Sequence, residues 1–148
     1  KKGLLLKRVS ILNDNHLTSN NIHSDAPFFI DLEYQVVNPL ENIRVGFRLL
    51  NNEGVVVFSS VDTDPEGTGR TRQPGTYVSR CQIPANYLNT GDYYLTATCD
   101  QPLQEAIFCE DSIVSFFVEL TGGAGASIPD GRQGVLRPIF TWQLENKH

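Results

Sequence analysis

Residues 83–99, reading I-P-A-N-Y-L-N-T-G-D-Y-Y-L-T-A-T-C, constrain the fold more than any other stretch of the chain. Ile83-Pro84 ends an extended run, because proline gives no donor to a ladder and pushes the residue before it toward extended geometry. Leu88, Gly91 and Tyr93 then follow with the spacing L-x-x-G-x-Y. In β-sandwiches that spacing marks a corner, where glycine turns the chain and a tyrosine opening the next strand bonds back to upstream backbone. From Tyr93 the chain alternates. Tyr93, Leu95, Ala97 and Cys99 share one face, and Tyr94, Thr96, Thr98 and Asp100 the other, which predicts a half-buried strand.

Other stretches carry the same period. In residues 28–37, Phe28, Ile30, Leu32, Tyr34 and Val36 line one face while Asp31, Glu33 and Gln35 line the other. A turn at 38–42 leads to 43–50, where Ile43, Val45, Phe47 and Leu49 are apolar and Arg44 and Arg48 polar. If the two runs form a hairpin with both apolar faces on one side, Glu33 pairs with Arg48, Gln35 with Gly46 and Val37 with Arg44. Further strands are expected at 4–13, 55–60, 76–83, 91–99, 111–120 and 135–142, with Val114, Phe116 and Val118 facing inward. Residues 13–27 and 62–75 read as polar loops, 100–110 as a connection with room for a short helical turn, and 121–134 as a glycine-rich linker. Seven to eight mainly antiparallel strands without an amphipathic helix predict one all-β sandwich domain over residues 1–148.

Composition removes several classes of function. A net charge of −5 disfavours a phosphate-tracking surface, so nucleic acid is not an expected partner. No apolar run approaches the roughly 18 residues of a membrane span. Cys81, Cys99 and Cys109 form no C-x-x-C pair, and two fall on inward strand faces, which favours free thiols in a reduced compartment. The chain lacks methionine and begins Lys1-Lys2-Gly3, as expected of a processed chain or an excised fragment.

Catalytic patterns are sparse. His16, His23 and His148 stand apart from any serine or cysteine elbow. Asp62, Asp64, Glu66 and Gly67 imitate the start of an EF-hand loop, but the twelfth position is Gln73, which cannot give a bidentate carboxylate. Within 121–131 the run G-G-A-G-A-S precedes a proline, with no Lys-Ser or Lys-Thr and no helix to hold phosphate. Asp31 and Glu33 are two apart on one strand face, with no apolar pocket to raise either pKa for glycoside hydrolysis. The chain is therefore expected to be non-catalytic, with no cofactor and no metal. The predicted hairpin leaves one surface of interest, where Glu33, Gln35, Arg44 and Arg48 gather around Gly46. Its planar hydrogen-bonding groups suit the vicinal hydroxyls or carboxylates of a sugar. Tyr77, Tyr94, Phe140 and Trp142 are the rings available for stacking on a sugar face.

Five stretches, taken in order, give the chain a resemblance to a known family. They are V-S-I-L-N at 9–13, D-A-P-F-F-I-D-L-E-Y at 25–34, I-R-V-G-F-R-L-L-N-N-E-G-V-V-V-F at 43–58, I-P-A-N-Y-L-N-T-G-D-Y-Y-L at 83–95 and G-V-L-R-P-I-F-T-W at 134–142. Together they resemble the C-terminal carbohydrate-binding domain of the ATP-binding subunit of Wzt-type O-antigen polysaccharide ABC exporters. That resemblance implies an immunoglobulin-like or jelly-roll sandwich that recognises the non-reducing end of a lipid-linked polysaccharide. The setting it implies is the cytoplasm, at the inner face of the bacterial inner membrane. It also implies partners: a nucleotide-binding domain in the same chain, a membrane transporter subunit, and a second copy. The second copy would exchange the last strand, 135–143, about a hinge at 121–134. The alternative expectation is a structural dimerisation module that binds no glycan. Sugar specificity varies within the family, so Glu33, Gln35, Arg44 and Arg48 rest on the physical argument alone.

Overall fold

The structure, a computed structural model, describes residues 3–66, 71–102, 105–122 and 131–146. Eight strands run in chain order: β1 (Leu4–Leu12), β2 (Asn21–His23), β3 (Phe28–Val36), β4 (Arg44–Asn51), β5 (Val56–Val61), β6 (Gly75–Ile83), β7 (Gly91–Gln101) and β8 (Glu105–Glu119). They form a three-stranded sheet, β1-β3-β6, and a five-stranded sheet, β2-β8-β7-β4-β5. Every pairing is antiparallel except β2 with β8. Ile30, Leu32, Tyr34 and Val36 of one sheet are buried in a single core with Val45, Phe47, Leu49 and Leu95 of the other. The all-β sandwich expected from the alternation is the one observed.

The expected hairpin between residues 28–37 and 43–50 is not formed. β3 lies between β1 and β6, so Glu33 stands opposite Arg8 and Val78, while β4 lies between β5 and β7, so Arg48 stands opposite Ser59 and Thr96. Alternation reveals that a strand has one apolar face. It does not distinguish a neighbour beside it in the sheet from one facing it across the core, and here β3 and β4 face each other across the core. Residues 37–43 therefore cross between sheets, and Leu40 is held midway by two backbone hydrogen bonds with Arg72, of 3.1 and 2.8 Å.

Three other readings change. The polar segment 13–27 contains β2, whose single buried residue Ile22 is too little to set a period. Of the segment 100–110, Asp100 and Gln101 belong to β7 and residues 105–110 to β8, which pairs antiparallel with it, and 103–104 lie outside the described residues. Register shifts between Leu95 and Ala97, and between Cys99 and Asp100, break the alternation of that pair. The strand expected at 135–142 is absent from the single chain, where Leu136 makes only an isolated bridge to Leu88. Most of the expected linker, 123–130, lies outside the described residues. All three cysteines are free.

The corner is built as its spacing predicts. The Tyr93 hydroxyl donates to the carbonyl of Asn89, four residues upstream, at 2.7 Å, and also lies 3.1 Å from the carbonyl of Val135. Burial pushes this phenol up to about 12. Asn89 completes the tie: its side-chain amide donates to the carbonyls of Arg132 and Gly134 at 2.9 and 2.7 Å. Removing the hydroxyl strands a buried carbonyl, so Tyr93→Phe is expected to lower stability by about 1–2 kcal/mol. Urea unfolding checks this, and an unchanged midpoint would show that water serves Asn89 and Val135 equally well.

Candidate ligand cleft on the flank of the sandwich

β5 ends one sheet and β6 ends the other, so along this flank neither strand has an outer neighbour within its sheet. Two adjoining hollows open there. One, of about 260 Å³, has walls of Leu32, Val45, Phe47, Val61, Pro65 and Cys81. The other, of about 610 Å³, is lined by Thr63, Glu66, Thr71, Arg72 and Tyr77. Asp62, Ser79 and Arg80 border both.

The partition between the hollows is a hydrogen-bonded network. Asp62 follows β5 directly, and its backbone is pinned to β4 by a 2.8 Å bond from its N–H to the carbonyl of Val45. One carboxylate oxygen accepts from Arg72 Nη1 and from Ser79 Oγ, both at 2.7 Å. The other accepts from Arg72 Nη2 at 3.0 Å and from the Val45 N–H at 3.1 Å. Arg72 also donates to the Tyr34 hydroxyl and, at 3.2 Å, to the carbonyl of Ile43. Tyr34 and Ser79 share a further bond of 2.9 Å, and the Tyr34 ring stacks on Tyr77 with centroids 5.7 Å apart. The side chains of Arg72 and Asp62 are 12% and 20% exposed, so the ion pair lies mostly out of water.

Each titration shift follows from that placement. Burial opposes the Asp62 carboxylate, yet hydrogen bonds from Arg72 and Ser79, with the charge of Arg72, outweigh it and hold the group below its usual range. Burial likewise opposes the Arg72 guanidinium, and Asp62 more than compensates, raising it. For Tyr34, burial dominates and raises the phenol despite its bond to Ser79. Arg72 thus spends its donors inside the protein and positions the wall. Thr63, Thr71 and Arg80 also line the polar hollow, Thr63 buried, Thr71 exposed and Arg80 paired with Asp31.

The site residues read from the sequence lie elsewhere, in two separate pairs. Glu33 and Gln35 sit on the outer face of the three-stranded sheet, where Glu33 lies 3.3 Å from Arg8. Arg44 and Arg48 sit on the outer face of the five-stranded sheet. Arg44 makes a bidentate pair with Asp100 at 2.9 and 2.7 Å, and Arg48 reaches Cys109 Sγ at 3.5 Å. One gathered surface does not exist, because the hairpin that would have gathered it does not form. The loop beginning at Asp62, read as a polar loop, instead supplies both members of an ion pair that lies mostly out of water. Asp64 is exposed and accepts from Ser60 Oγ and the Val61 N–H through one oxygen, each at 3.1 Å. Among the described residues no group of three or more His, Cys, Asp or Glu is placed to hold a metal ion. No helix among them is long and apolar enough to cross a membrane.

By architecture this is a two-sheet β-sandwich domain. Within that class the chain belongs to the Wzt C-terminal domain family, whose model matches residues 1–127. The solved crystal structure of the C-terminal domain of Wzt superposes with a TM-score of 0.75, covering 97% of this chain and 84% of that one. At 9% identity, that likeness is one of fold. No curated relative matches the chain.

Proposed function

We propose that the domain is a non-catalytic reader of the non-reducing end of a lipid-linked O-antigen polysaccharide, seats it in the flank cleft and admits it to an ABC exporter. The observation that carries this is the joining of the two findings above. The chain belongs to a family linked to O-antigen transport, and its concave site has a rigid, charge-paired wall beside an apolar hollow, the arrangement that orients an amphipathic sugar. In this reading ATP hydrolysis belongs to a nucleotide-binding domain of the same protein, and the domain works in the cytoplasm beside a membrane transporter subunit. Glu33 with Gln35, and Arg44 with Arg48, offer two further planar surfaces on the outer faces for a longer chain to touch.

The tail supports dimerisation as a second role. Phe140, Trp142 and Leu144 alternate as a strand does and are 72%, 87% and 102% exposed, an arrangement that a second copy would bury by accepting the segment. Residues 132–137 are tied to Asn89, Tyr93 and Tyr87 of their own sandwich, so the exchanged piece begins at Pro138.

Calorimetric titration with a panel of O-antigen oligosaccharides tests the reading. Thr71→Trp, which fills the polar hollow from its exposed rim, is expected to weaken binding at least about 10-fold, a change of 1.4 kcal/mol. Glu33→Ala and Arg48→Ala should change it far less. Truncation after Arg137 should abolish the dimer and retain binding. Absence of binding across a broad panel sinks the glycan reading, and loss confined to the outer-face variants moves the site out of the cleft.

A further inference from the structure

We propose that the flank cleft selects a sugar carrying a methyl-terminated substituent, either the methyl of a 6-deoxy sugar or that of an acetamido group, over the fully hydroxylated parent. This rests on the cleft being the glycan site. The argument starts from size: pockets that enclose a whole small ligand run to roughly 300–1,000 Å³. The apolar hollow, at about 260 Å³, falls short of that range and accommodates a substituent with the edge of its ring. The walls come from both sheets and the β5 loop, with Leu32 and Cys81 facing Val45, Phe47, Val61 and Pro65.

Most side-chain polar atoms around this hollow already have partners within the protein. Asp62 accepts from Arg72, Ser79 and the Val45 N–H. Ser79 Oγ donates to Asp62 and shares a bond with Tyr34. Ser60 Oγ donates to Asp64, and Arg80 is bidentate to Asp31 at 2.7 and 2.8 Å. Gln82 stands exposed at the rim. A hydroxymethyl group entering the hollow would give up its water against the apolar walls of Leu32, Val45, Phe47, Val61 and Pro65, which costs free energy. A methyl group entering the same space loses nothing and removes apolar surface from water. The ring hydroxyls of such a sugar, turned the other way, fall in the polar hollow beside Glu66 and Thr71. The partition built by Asp62, Arg72 and Ser79 thus sorts the two sides of one sugar.

The test is titration of the full chain with matched methyl glycosides: 6-deoxyhexose against hexose, and N-acetylhexosamine against the parent hexose. The substituted member of at least one pair is expected to bind about 10- to 100-fold more tightly, the range a single apolar group commands in a fitted pocket. Which pair shows it identifies the source of the methyl. Cys81→Leu, which fills the hollow from an edge strand, should erase the preference. Cys81→Ser, nearly isosteric and polar, should narrow it. Equal affinity within both pairs, with binding still lost in Thr71→Trp, overturns this inference and leaves the cleft as the glycan site. No binding by any sugar overturns the cleft reading and this inference together.

Discussion

Arg72→Met is expected to lower the stability of the domain by about 3 kcal/mol, the lower end of the cost of removing one partner from a buried ion pair. The lower end applies because Arg72 and Asp62 keep 12% and 20% of their side-chain surface in contact with solvent. The substitution leaves the Asp62 carboxylate with only Ser79 and the Val45 N–H as donors. It also takes a donor from the Tyr34 hydroxyl and one from the Ile43 carbonyl, so a single change touches β3, the entry to β4 and the loop after β5. Adding Asp62→Asn should recover much of the loss, because the uncompensated charge, more than the missing attraction, carries the cost. Urea midpoints of the two single variants and the double variant measure the coupling. An Arg72→Met midpoint within about 0.5 kcal/mol of the parent would mean that the pair is solvated in solution and builds no wall.

Asp62 and Tyr34 of this network contribute to the pH dependence of stability from opposite ends. Asp62 titrates below its ordinary value of 3.8 in the folded domain. Its contribution is therefore complete above that value and is lost as pH falls through the lower, folded value. Tyr34 works from the opposite end. Its folded value is raised above 10.0, so its contribution is complete below 10.0 and is lost as pH rises through the folded value. Between these limits neither group gives stability a pH dependence.

What the sequence made legible were faces, one strand at a time. Ile30 through Val36 alternate without interruption, and Tyr93 announces its corner by spacing alone, because both patterns arise within a few residues of chain. Partners across the molecule left no such mark. The hairpin failed because an apolar face fits a neighbour across the core as well as one beside it. β7 and β8 lost their period at two bulges, and β2 is too short to have one. The site was hidden for a related reason: Asp62 and Arg72 are ten residues apart in a stretch rich in acidic and small polar residues. Their pairing becomes visible only after Leu40 clamps Arg72 from the inter-sheet crossing. A charge inside such a stretch ordinarily reads as solvated, and only closure of the flank buries these two.

Gly46 shows how a residue can be noticed for one reason and matter for another. In the sequence it is the gap in a strand face. In the structure it is where the backbone of β5 presses against β4: a Cβ there would lie 2.1 Å from the Ser60 carbonyl oxygen and 2.8 Å from the Val61 Cα. No rotamer relieves that clash, since the Cβ position is set by the backbone, so β5 itself must move. Overpacking typically costs 1–3 kcal/mol, and a clash against main chain belongs at the top of that range, so Gly46→Ala is expected to cost about 3 kcal/mol. The displacement would not stop at the ladder. Asp62 is the residue after β5, and two hydrogen bonds, of 2.8 and 3.1 Å, tie it to Val45 beside Gly46. Pushing β5 outward draws the carboxylate away from Arg72 and deforms both hollows at their shared border. Gly46→Ala and Arg72→Met should therefore be sub-additive, because each removes stability through the same carboxylate. Full additivity in urea unfolding of the double variant would separate the close approach at Gly46 from the placement of Asp62. Sub-additivity, with glycan affinity falling in Gly46→Ala, would make this one missing side chain the condition for having a cleft at all.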